Sequence, residues 1–276
     1  MLMLIWLVFA VIQDLRTREI ANWLNFSLIV FALGFRFFYE LFSDINFVFF
    51  YQGLLGLGIF FVLGTLLYYG RIFAGGDAKL MMSLGSILPF SKSFFINLNI
   101  FALFFVLFLI FGMIYGVVFS VVLMLKNWNP FKQEFFKQFK KFRKIILIIF
   151  LIGLLFMGLG FREPLLFFFG FFIFVIPYLF IFAKSIDESC MIKKIKPKFL
   201  REGDWLYKDL KIGKTSIKAT WEGLSKEQIK LIKKKKIEIL IKQGIAFAPV
   251  FLASFILLVI FFYLGILDIL SLLFLF

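Results

Sequence analysis

Long apolar runs recur along almost the whole sequence and constrain its fold more than any other feature. A helix that crosses a bilayer needs about 20 apolar residues. Runs near that length cover residues 1–14, 22–42, 45–69, 77–90, 94–125, 144–161, 164–183 and 245–265. Apolar residues make up 63% of the 276 residues, and the mean hydropathy is +1.02, which exceeds what a soluble core can bury. The sequence therefore predicts an all-α polytopic membrane protein with about eight transmembrane helices.

The basic residues concentrate on one side of this predicted topology. With eight spans, 28 of the 31 Lys and Arg residues fall in loops that share one membrane face. These loops cover residues 15–21, 70–79, 126–144 and 184–243. Because positively charged loops stay in the cytoplasm, we expect a multi-pass protein of the cell membrane. Both termini would lie outside, and the large loop would face the cytoplasm.

Composition divides the chain into four segments. Residues 1–125 predict a membrane core of five helices. Residues 126–183 predict a basic cytoplasmic loop followed by an inserted helical pair. Residues 184–243 contain seventeen basic and eight acidic residues, and they predict a small α+β cytoplasmic domain. Residues 244–276 predict a C-terminal transmembrane helix, so that the domain is inserted before the last helix.

Local patterns indicate the elements of the small domain. Ser225 and Gln228 have the spacing of a capping box, which predicts a helix that runs through Lys236. Residues 205–210 and 217–221 are typical of short strands, and Ile residues at 237, 239 and 241 alternate like a third strand or continue the helix. The four consecutive lysines at 233–236 predict a solvated face beside anionic lipid headgroups. Nucleic-acid binding is not expected, because aromatic residues do not interleave with this run.

Residue types that are rare or missing narrow the chemistry. The chain has no His and a single Cys, Cys190. Catalysis by Ser-His-Asp or Cys-His groups, His-ligated zinc, Cys-cluster metal sites and disulfides within the chain are therefore excluded. No metal or cofactor is expected. An enzyme with this sequence would use carboxylates, hydroxyls, lysines or the lone thiol.

Two aspartates stand at the same predicted membrane face. Asp14 ends the first span, and Asp77 opens the fourth span 63 positions later, after one crossing in each direction. Carboxylates near hydrocarbon are costly, so each needs a reason. Three interpretations are open: a pair that shares a proton as in aspartic proteases, a proton-coupled transporter, or structural roles. In the structural interpretation Asp14 pairs with Arg18, and Asp77 caps a helix.

The residues around the two aspartates form two motifs. The first reads DLRTREIANWLN from Asp14, and the second reads RIFAGGDAKL up to Leu80. Both resemble the motifs of the type IV prepilin peptidase family of GxGD-type membrane aspartic proteases, specifically its archaeal prepilin and preflagellin peptidases. Members have an aspartate followed by an Ile-Pro-Asn-like turn, and a second aspartate in a Gly-x-Gly-Asp motif followed by x-Lys-Leu. The matching residues are Asp14, Ile20, Asn22, Gly76, Asp77, Lys79 and Leu80.

The resemblance is best over residues 1–125 and has two departures. Ala21 stands where Pro is usual, and Ala74 stands where the first Gly of the second motif is usual. Neither change removes a reacting group. The segments REGD at 201–204 and GIAFAP at 244–249 also resemble features of archaeal members.

The resemblance implies a membrane-embedded aspartic endopeptidase with Asp14 and Asp77 as the catalytic residues. Such enzymes remove short basic signal peptides from type IV pilin-like or archaeal flagellin precursors at the cytoplasmic membrane face. Its partners would be these precursors and membrane lipids. Many bacterial relatives also methylate the new N-terminus and carry a four-cysteine zinc loop. The single Cys and the absence of a methyl-donor motif predict proteolysis alone.

Other residues of the motifs are candidates for substrate contact. Gly75 and Gly76 would let a substrate backbone approach closely. Lys79 would either reach lipid phosphate or contact the substrate. A nucleophile pair of Lys79 and Ser83, at helical spacing, is the alternative that uses no carboxylate.

Acidic residues outside the pair are candidates for recognition of a basic leader. Glu19 is the first of these, followed by Glu202 and Asp204. Helix dipoles also predict how the pair shares its proton. Asp77 at a helix N-terminus would be the ionised base, and Asp14 at a helix C-terminus would be the protonated acid.

Overall fold

A computed structural model describes residues 2–43, 46–161, 163–212 and 215–265 of the chain. Helices dominate these residues, and five short strands occur late in the chain. The helices are α1 (Leu2–Thr17), α2 (Asn22–Ser43), α3 (Val48–Tyr69), α4 (Gly75–Gly85), α5 (Phe94–Lys126), α6 (Trp128–Leu159), α7 (Pro164–Ser189), α8 (Lys226–Lys235) and α9 (Ala248–Tyr263). The strands are β1 (Ile192–Ile195), β2 (Trp205–Leu206), β3 (Leu210–Ile212), β4 (Thr215–Ile217) and β5 (Ile239–Lys242).

Each of the eight predicted spans contains a helix, but the helices differ in length. Five of those described are long and apolar enough to cross a membrane, namely α2, α3, α5, α6 and α7. The described parts of α1 and α9 have 16 residues each, whereas α4 has 11. A mostly helical, multi-pass membrane protein is therefore confirmed, and the described residues contain five candidate spans.

The fourth predicted span, residues 77–90, is not one spanning helix. Helix α4 ends at Gly85, and its 11 residues reach about 16 Å of the roughly 30 Å hydrocarbon thickness. Pro89 lies four residues beyond the helix, and it disfavours helical backbone at the residue before it. The prediction of a spanning helix at this position is therefore wrong.

The chain divides into two compact units. One combines residues up to Gly116 with those from Ile245 onward, and the other covers Val117–Gly244. The first unit has a continuous apolar core, in which Phe60, Phe104 and Phe251 are fully buried. In this unit α4 packs against α2 and α3, and α1 packs against α9.

The buried end of α4 is held by one arginine from α2. Arg36 is 4% exposed, and its Nε donates to the carbonyl of Ser86 at 2.9 Å. Its Nη2 donates to the carbonyls of Ile87 and Pro89 at 3.0 and 2.6 Å. These carbonyls belong to the segment that follows the end of α4 at Gly85, and buried backbone carbonyls need donors. The guanidinium therefore satisfies backbone groups that would otherwise be buried without donors.

One turn further along α2, Glu40 caps the next helix. Its two carboxylate oxygens accept from the backbone N–H groups of Phe49 and Phe50 at 2.8 and 3.0 Å. These groups lie in the first turn of α3, where N–H donors lack helical partners and a carboxylate is favoured. Arg36 Nη1 also donates to the carbonyl of Phe49 at 3.1 Å. The two charged residues of α2 thus link the start of α3 to the end of α4.

In the second unit, α6 and α7 form a hairpin that packs through glycines. A methyl group at Gly170 would lie 2.5 Å from the backbone nitrogen of Met157, and one at Gly153 would lie 3.1 Å from the carbonyl of Gly170. Close approach through small residues is the usual device of helix pairs in lipid. This hairpin contains the inserted helical pair that was predicted within residues 126–183.

The basic loop predicted at residues 126–144 is helical in the structure. Helix α6 begins at Trp128 and continues without a break into the apolar run. The stretch is charged, but its Lys, Gln, Glu and Arg residues are good helix formers. Charge alone was taken as the sign of a loop, and for this segment that prediction is wrong.

The rest of the second unit is a small sheet domain. Strands β1, β5 and β2 pair antiparallel in that order, and β3 pairs with β4 in a separate hairpin. Strand β5 confirms the third predicted strand. The strand predicted at 217–221 is instead the shorter β4, which ends at Ile217, and Trp221 lies in a turn.

The predicted capping box of α8 is confirmed. The Gln228 N–H donates to Ser225 Oγ at 3.3 Å, and the Ser225 N–H donates to Gln228 Oε1 at 3.0 Å. The helix ends at Lys235, one residue before the predicted end, because Lys236 adopts a left-handed conformation with φ 53°.

Replacing Arg36 should destabilise the protein strongly. In Arg36→Leu the carbonyls at the end of α4 lose their donor, and Glu40 loses its charge partner, so we expect a loss of about 3–5 kcal/mol. Arg36→Lys should recover part of this, because an ammonium lacks the planar fork of donors. The free energy of unfolding in mixed detergent micelles measures the effect. Lys126→Gln, which removes an exposed charge, is the control. Equal stability of Arg36→Leu and the control would contradict the capping role.

The glycine contacts of the hairpin give a matched pair of variants. Gly170→Ala should destabilise the hairpin by about 1–3 kcal/mol, because its new methyl group meets the α6 backbone. Gly158→Ala has open space around the new methyl group. It should be neutral or gain up to about 1 kcal/mol from helix propensity. Thermal unfolding of both variants in one detergent tests this. Equal changes in Gly170→Ala and Gly158→Ala would rule out the close packing.

Candidate active site

The structure brings Asp14 and Asp77 together within the first unit. Asp14 lies near the end of α1 and is 5% exposed. Asp77 lies in the first turn of α4 and is partly buried. The two carboxyl groups are close enough to interact electrostatically. The spatial pairing expected from counting membrane crossings is therefore present.

The end of α1 fixes the backbone around Asp14. The Asp14 carbonyl accepts from the Arg18 N–H at 2.8 Å, and Arg18 ends the helix in a left-handed conformation with φ 58°. Thr17 Oγ1 donates to the carbonyl of Gln13 at 2.8 Å. Arg18 also acts electrostatically on the Asp14 carboxyl, as the structural interpretation of the sequence expected.

The side chain of Asp14 is bound by the start of α9. Its Oδ2 accepts from the backbone N–H of Ala248 at 2.9 Å, and the N–H of Phe247 is a second backbone donor to the carboxyl. The first N–H groups of a helix lack helical partners and favour a negative charge. Hydrogen bonds to a carboxylate stabilise its ionised form. The contact therefore favours an ionised Asp14, the opposite of the sequence-based assignment.

Asp77 has a different environment at the start of α4. Its carboxyl accepts one backbone hydrogen bond, from Ala74 at the N-cap. Ala74 has φ −71° and ψ 161°, an extended conformation that any residue adopts. The departure from Gly at this position therefore carries no backbone cost. Asp77 is the third residue of α4 and not its N-cap, which is Ala74.

The two sequence motifs contact each other directly. Lys79 Nζ donates to Asn22 Oδ1 at 2.7 Å, which joins α4 to the start of α2. A methyl group at Gly76 would lie 3.4 Å from the backbone nitrogen of Ile20. Lys79 was predicted to reach lipid phosphate or the substrate, but its ammonium instead links the second motif to the first.

The second departure from the family pattern also has a local explanation. Ala21 N–H donates to Gln13 Oε1 at 3.1 Å, which holds the turn between α1 and α2. Proline has no N–H and could not make this bond. In this chain Ala21 and Gln13 together fix the turn at the position where the resemblance predicts a proline.

One of the two glycines has open space beside it. A methyl group at Gly75 would contact only the ring of Tyr68, at 3.8 Å. The surroundings of Gly76 are closer, because Ile20 packs against it. Gly75 is therefore the glycine with open room beside Asp77.

An aromatic cluster beneath the site holds its segments in place. Phe73, which precedes the second motif, lies 5.7 Å from Phe108, 6.2 Å from Phe247 and 5.9 Å from Phe251, measured between ring centroids. Phe108 and Phe251 are 4.7 Å apart. Such ring pairs add stability beyond their buried area. The cluster fixes the start of α9, and so the donors to Asp14, relative to the Asp77 loop.

The roles of two residues near the site were not predicted from the sequence. Ala248 lies in the GIAFAP segment that resembles archaeal members, but no side-chain pattern reveals that its backbone N–H donates to Asp14. Pro249 within the first turn of α9 marks a helix start, but it does not indicate which residue the helix end faces. Tyr115 of α5 interacts electrostatically with both Asp14 and Arg18. In the sequence, the only indication of a role for Tyr115 is that a tyrosine occurs inside an apolar run.

The three acidic residues predicted to recognise a basic leader are distant in sequence and differ in their contacts. Glu19 is exposed between α1 and α2. Asp204 Oδ2 accepts from the Arg201 N–H at 2.8 Å, and burial raises the pKa of this carboxyl. Glu202 pairs with Lys226 at 3.4 Å. The last two acids therefore support the fold of the sheet domain.

The alternative nucleophile pair is not formed. Ser83 is fully buried, and its hydroxyl donates to the carbonyl of Leu80 at 2.8 Å. The Lys79 ammonium is bound to Asn22. Within the described ranges, no group of three or more acidic or Cys side chains is arranged to hold a metal ion.

Comparisons with known proteins agree with the two motifs. The sequence model of the type IV leader peptidase family matches residues 1–124, which contain both aspartates. The chain is also similar to the preflagellin peptidase of Methanocaldococcus jannaschii, with 32% identity over 85 residues. That match covers 31% of this chain and 36% of the relative, so the chain spans about a third of the length of this curated relative. No solved structure matches. The resemblance of the motifs is thereby confirmed, and residues 1–124 of the chain are similar to the type IV leader peptidase family.

Proposed function

We propose that the chain is an aspartic endopeptidase that removes short basic leaders from type IV pilin-like or archaeal flagellin precursors. The observation that carries the proposal is the juxtaposition of Asp14 and Asp77, each within a motif of a peptidase family. Close carboxyl groups in a low dielectric do not both ionise, so the pair holds one proton between them. An aspartic protease requires this arrangement.

In the proposed mechanism the two aspartates have distinct tasks. Ionised Asp14, held by the N–H groups of Phe247 and Ala248, takes a proton from a water molecule as that water attacks the scissile carbonyl carbon. Protonated Asp77 donates its proton to the carbonyl oxygen. As the tetrahedral intermediate collapses, Asp14 gives its proton to the amide nitrogen and Asp77 takes one from a hydroxyl of the intermediate. The C–N bond breaks, the leader leaves with a new carboxyl group, and both aspartates return to their starting protonation states. Proteolysis is the only activity proposed, and it uses no cofactor.

The membrane supplies much of the substrate positioning in this proposal. A precursor anchored by its apolar helix would present the bond before that helix at the cytoplasmic face, where the sequence places both aspartates. Because the enzyme and its substrate are inserted in the same membrane, the scissile bond does not have to reach the aspartates by diffusion in three dimensions. This favours reaction even between weakly bound groups. The open side of Gly75 is the proposed place for the substrate backbone. Exposed Glu19 is the proposed contact for a basic leader.

Substituting either aspartate should abolish cleavage. Asp14→Asn and Asp77→Asn remove one member of a pair that works as a unit, so each should lower the cleavage rate at least about 10³-fold. The double variant should be no slower than the slower single variant. Cleavage of a purified precursor, followed by gel mobility, measures this. Glu227→Gln, an exposed acid on α8, is the control. Full activity in either single variant would leave proton-coupled transport as the better interpretation.

Replacing the backbone donor to Asp14 should change the pH dependence. Ala248→Pro removes one N–H at the first position of α9, a donor that has no partner within the helix. Without the Ala248 N–H, the ionised form of the Asp14–Asp77 pair is less stable. The acid limb of the pH–rate profile should therefore move up by about 1–2 pH units.

The matched variant Ala248→Ser retains the N–H and should keep the original profile. If Asp77 were the ionised member, Ala248→Pro would leave the acid limb unchanged. Helix content measured by circular dichroism shows whether both variants fold alike.

A further inference from the structure

The first half of α6 carries exposed cations and aromatic rings along one side. We call Lys132, Phe136, Phe139, Lys140, Arg143 and Lys144 the α6 stripe. All six side chains are exposed, and their spacing of three or four residues places them on one side of the helix. Phe136 is 60% exposed and Phe139 is 38% exposed. Exposed phenyl rings next to four cations are not favoured when water is their only neighbour.

The cations of the α6 stripe lack acidic partners. Within the described residues, its four Lys and Arg side chains form no ion pair. Lys137, on the same helix but outside the stripe, pairs with Glu134 at 2.9 Å. The stripe therefore presents four unneutralised positive charges, which fit an anionic ligand outside the chain.

The stripe continues directly into the apolar face of the same helix. Leu147, Leu151 and Leu154 extend its rows at the same spacing and are 58%, 56% and 44% exposed. In a helix that crosses a membrane, such a row faces lipid hydrocarbon. Toward the N-terminus of α6, the apolar row is thus followed first by cations at 144, 143 and 140 and then by the rings of Phe139 and Phe136.

The length of the apolar part places the cations at the level of the lipid headgroups. The apolar run of residues 145–159 covers about 22 Å, whereas the hydrocarbon core is about 30 Å thick. A spanning α6 therefore draws Lys140, Arg143 and Lys144 to the edge of the hydrocarbon. Long basic side chains reach outward from that depth to phosphate.

We propose that the α6 stripe is a binding surface for the phosphate groups of anionic membrane lipids. Basic clusters next to the cytoplasmic end of a membrane helix attract such lipids. The proposal is independent of the proteolytic activity. It also assigns lipid contact to α6, whereas the sequence alone pointed to residues 233–236.

Helix α8 is a poorer candidate for this contact. Its lysines are exposed, but its apolar residues Ile229 and Ile232 are buried in the core of the sheet domain. It therefore presents no apolar row that enters hydrocarbon. Three lysines of α8, at 233, 234 and 235, serve as a matched control, because replacing them removes as many charges as the α6 triple variant.

The test uses the full-length protein in nanodiscs of equal phosphatidylglycerol and phosphatidylcholine content. After extraction into detergent, the lipid that remains bound is quantified by mass spectrometry. The intact protein should retain phosphatidylglycerol at least about five-fold over phosphatidylcholine. The triple variant Lys140→Gln, Arg143→Gln, Lys144→Gln should lose this preference. The control Lys233→Gln, Lys234→Gln, Lys235→Gln should keep it.

Several outcomes would overturn the proposal. One is an unchanged preference in the α6 triple variant. Another is loss of the preference in the α8 control instead. The charge-conserving variant Lys140→Arg, Arg143→Lys, Lys144→Arg should retain the preference, and its failure to do so would also contradict the assignment. If the α6 triple variant does not fold, salt provides the test. Retention by the intact protein should fall sharply near 1 M NaCl, because headgroup attraction is screened, and salt-independent retention would refute it.

Discussion

A chain that leaves a helix among buried apolar side chains must find donors for its carbonyl groups, and this requirement shapes the first unit. Arg36 meets it for the segment just after α4 by bonding to Ser86, Ile87 and Pro89. Helix α4 itself ends at Gly85. Its 11 residues position Asp77 near Asp14. Glu40 applies the same solution to the start of α3. A single helix, α2, thereby fixes the ends of both its neighbours through two charged side chains.

The two aspartates are chemically alike, and their surroundings make them different. Asp14 accepts from two backbone N–H groups at the start of α9, whereas Asp77 accepts from one at the start of α4. Backbone donors are fixed by the fold and do not reorganise when charge appears. An acid–base pair works when its two environments separate the protonation states. Assigning the proton from each residue's own helix failed to include α9, the element that favours charge on Asp14.

The features that the sequence revealed are local or follow from counting, and those it missed depend on distant partners. Apolar length located the helices, and the spacing of Ser225 and Gln228 located a helix start, because both signals lie within a few residues. Counting crossings paired Asp14 with Asp77. The end of α4 depends on Arg36, about 50 positions earlier in the chain. The basic stretch of residues 126–144 contains many charges, which suggested a loop, and also residues with high helix propensity. Only the packing of α6 on α7 shows that the segment is helical.

The hydrogen bond between Ala248 and Asp14 joins positions 234 residues apart. A ribosome that makes this chain delivers both aspartates to the membrane long before it synthesises α9. Until α9 inserts, Asp14 has neither of its two backbone donors. A nascent chain would therefore contain both carboxyls without the asymmetry that distinguishes them. The environment of Asp14 is complete only after α9 has been synthesised and has packed against α1.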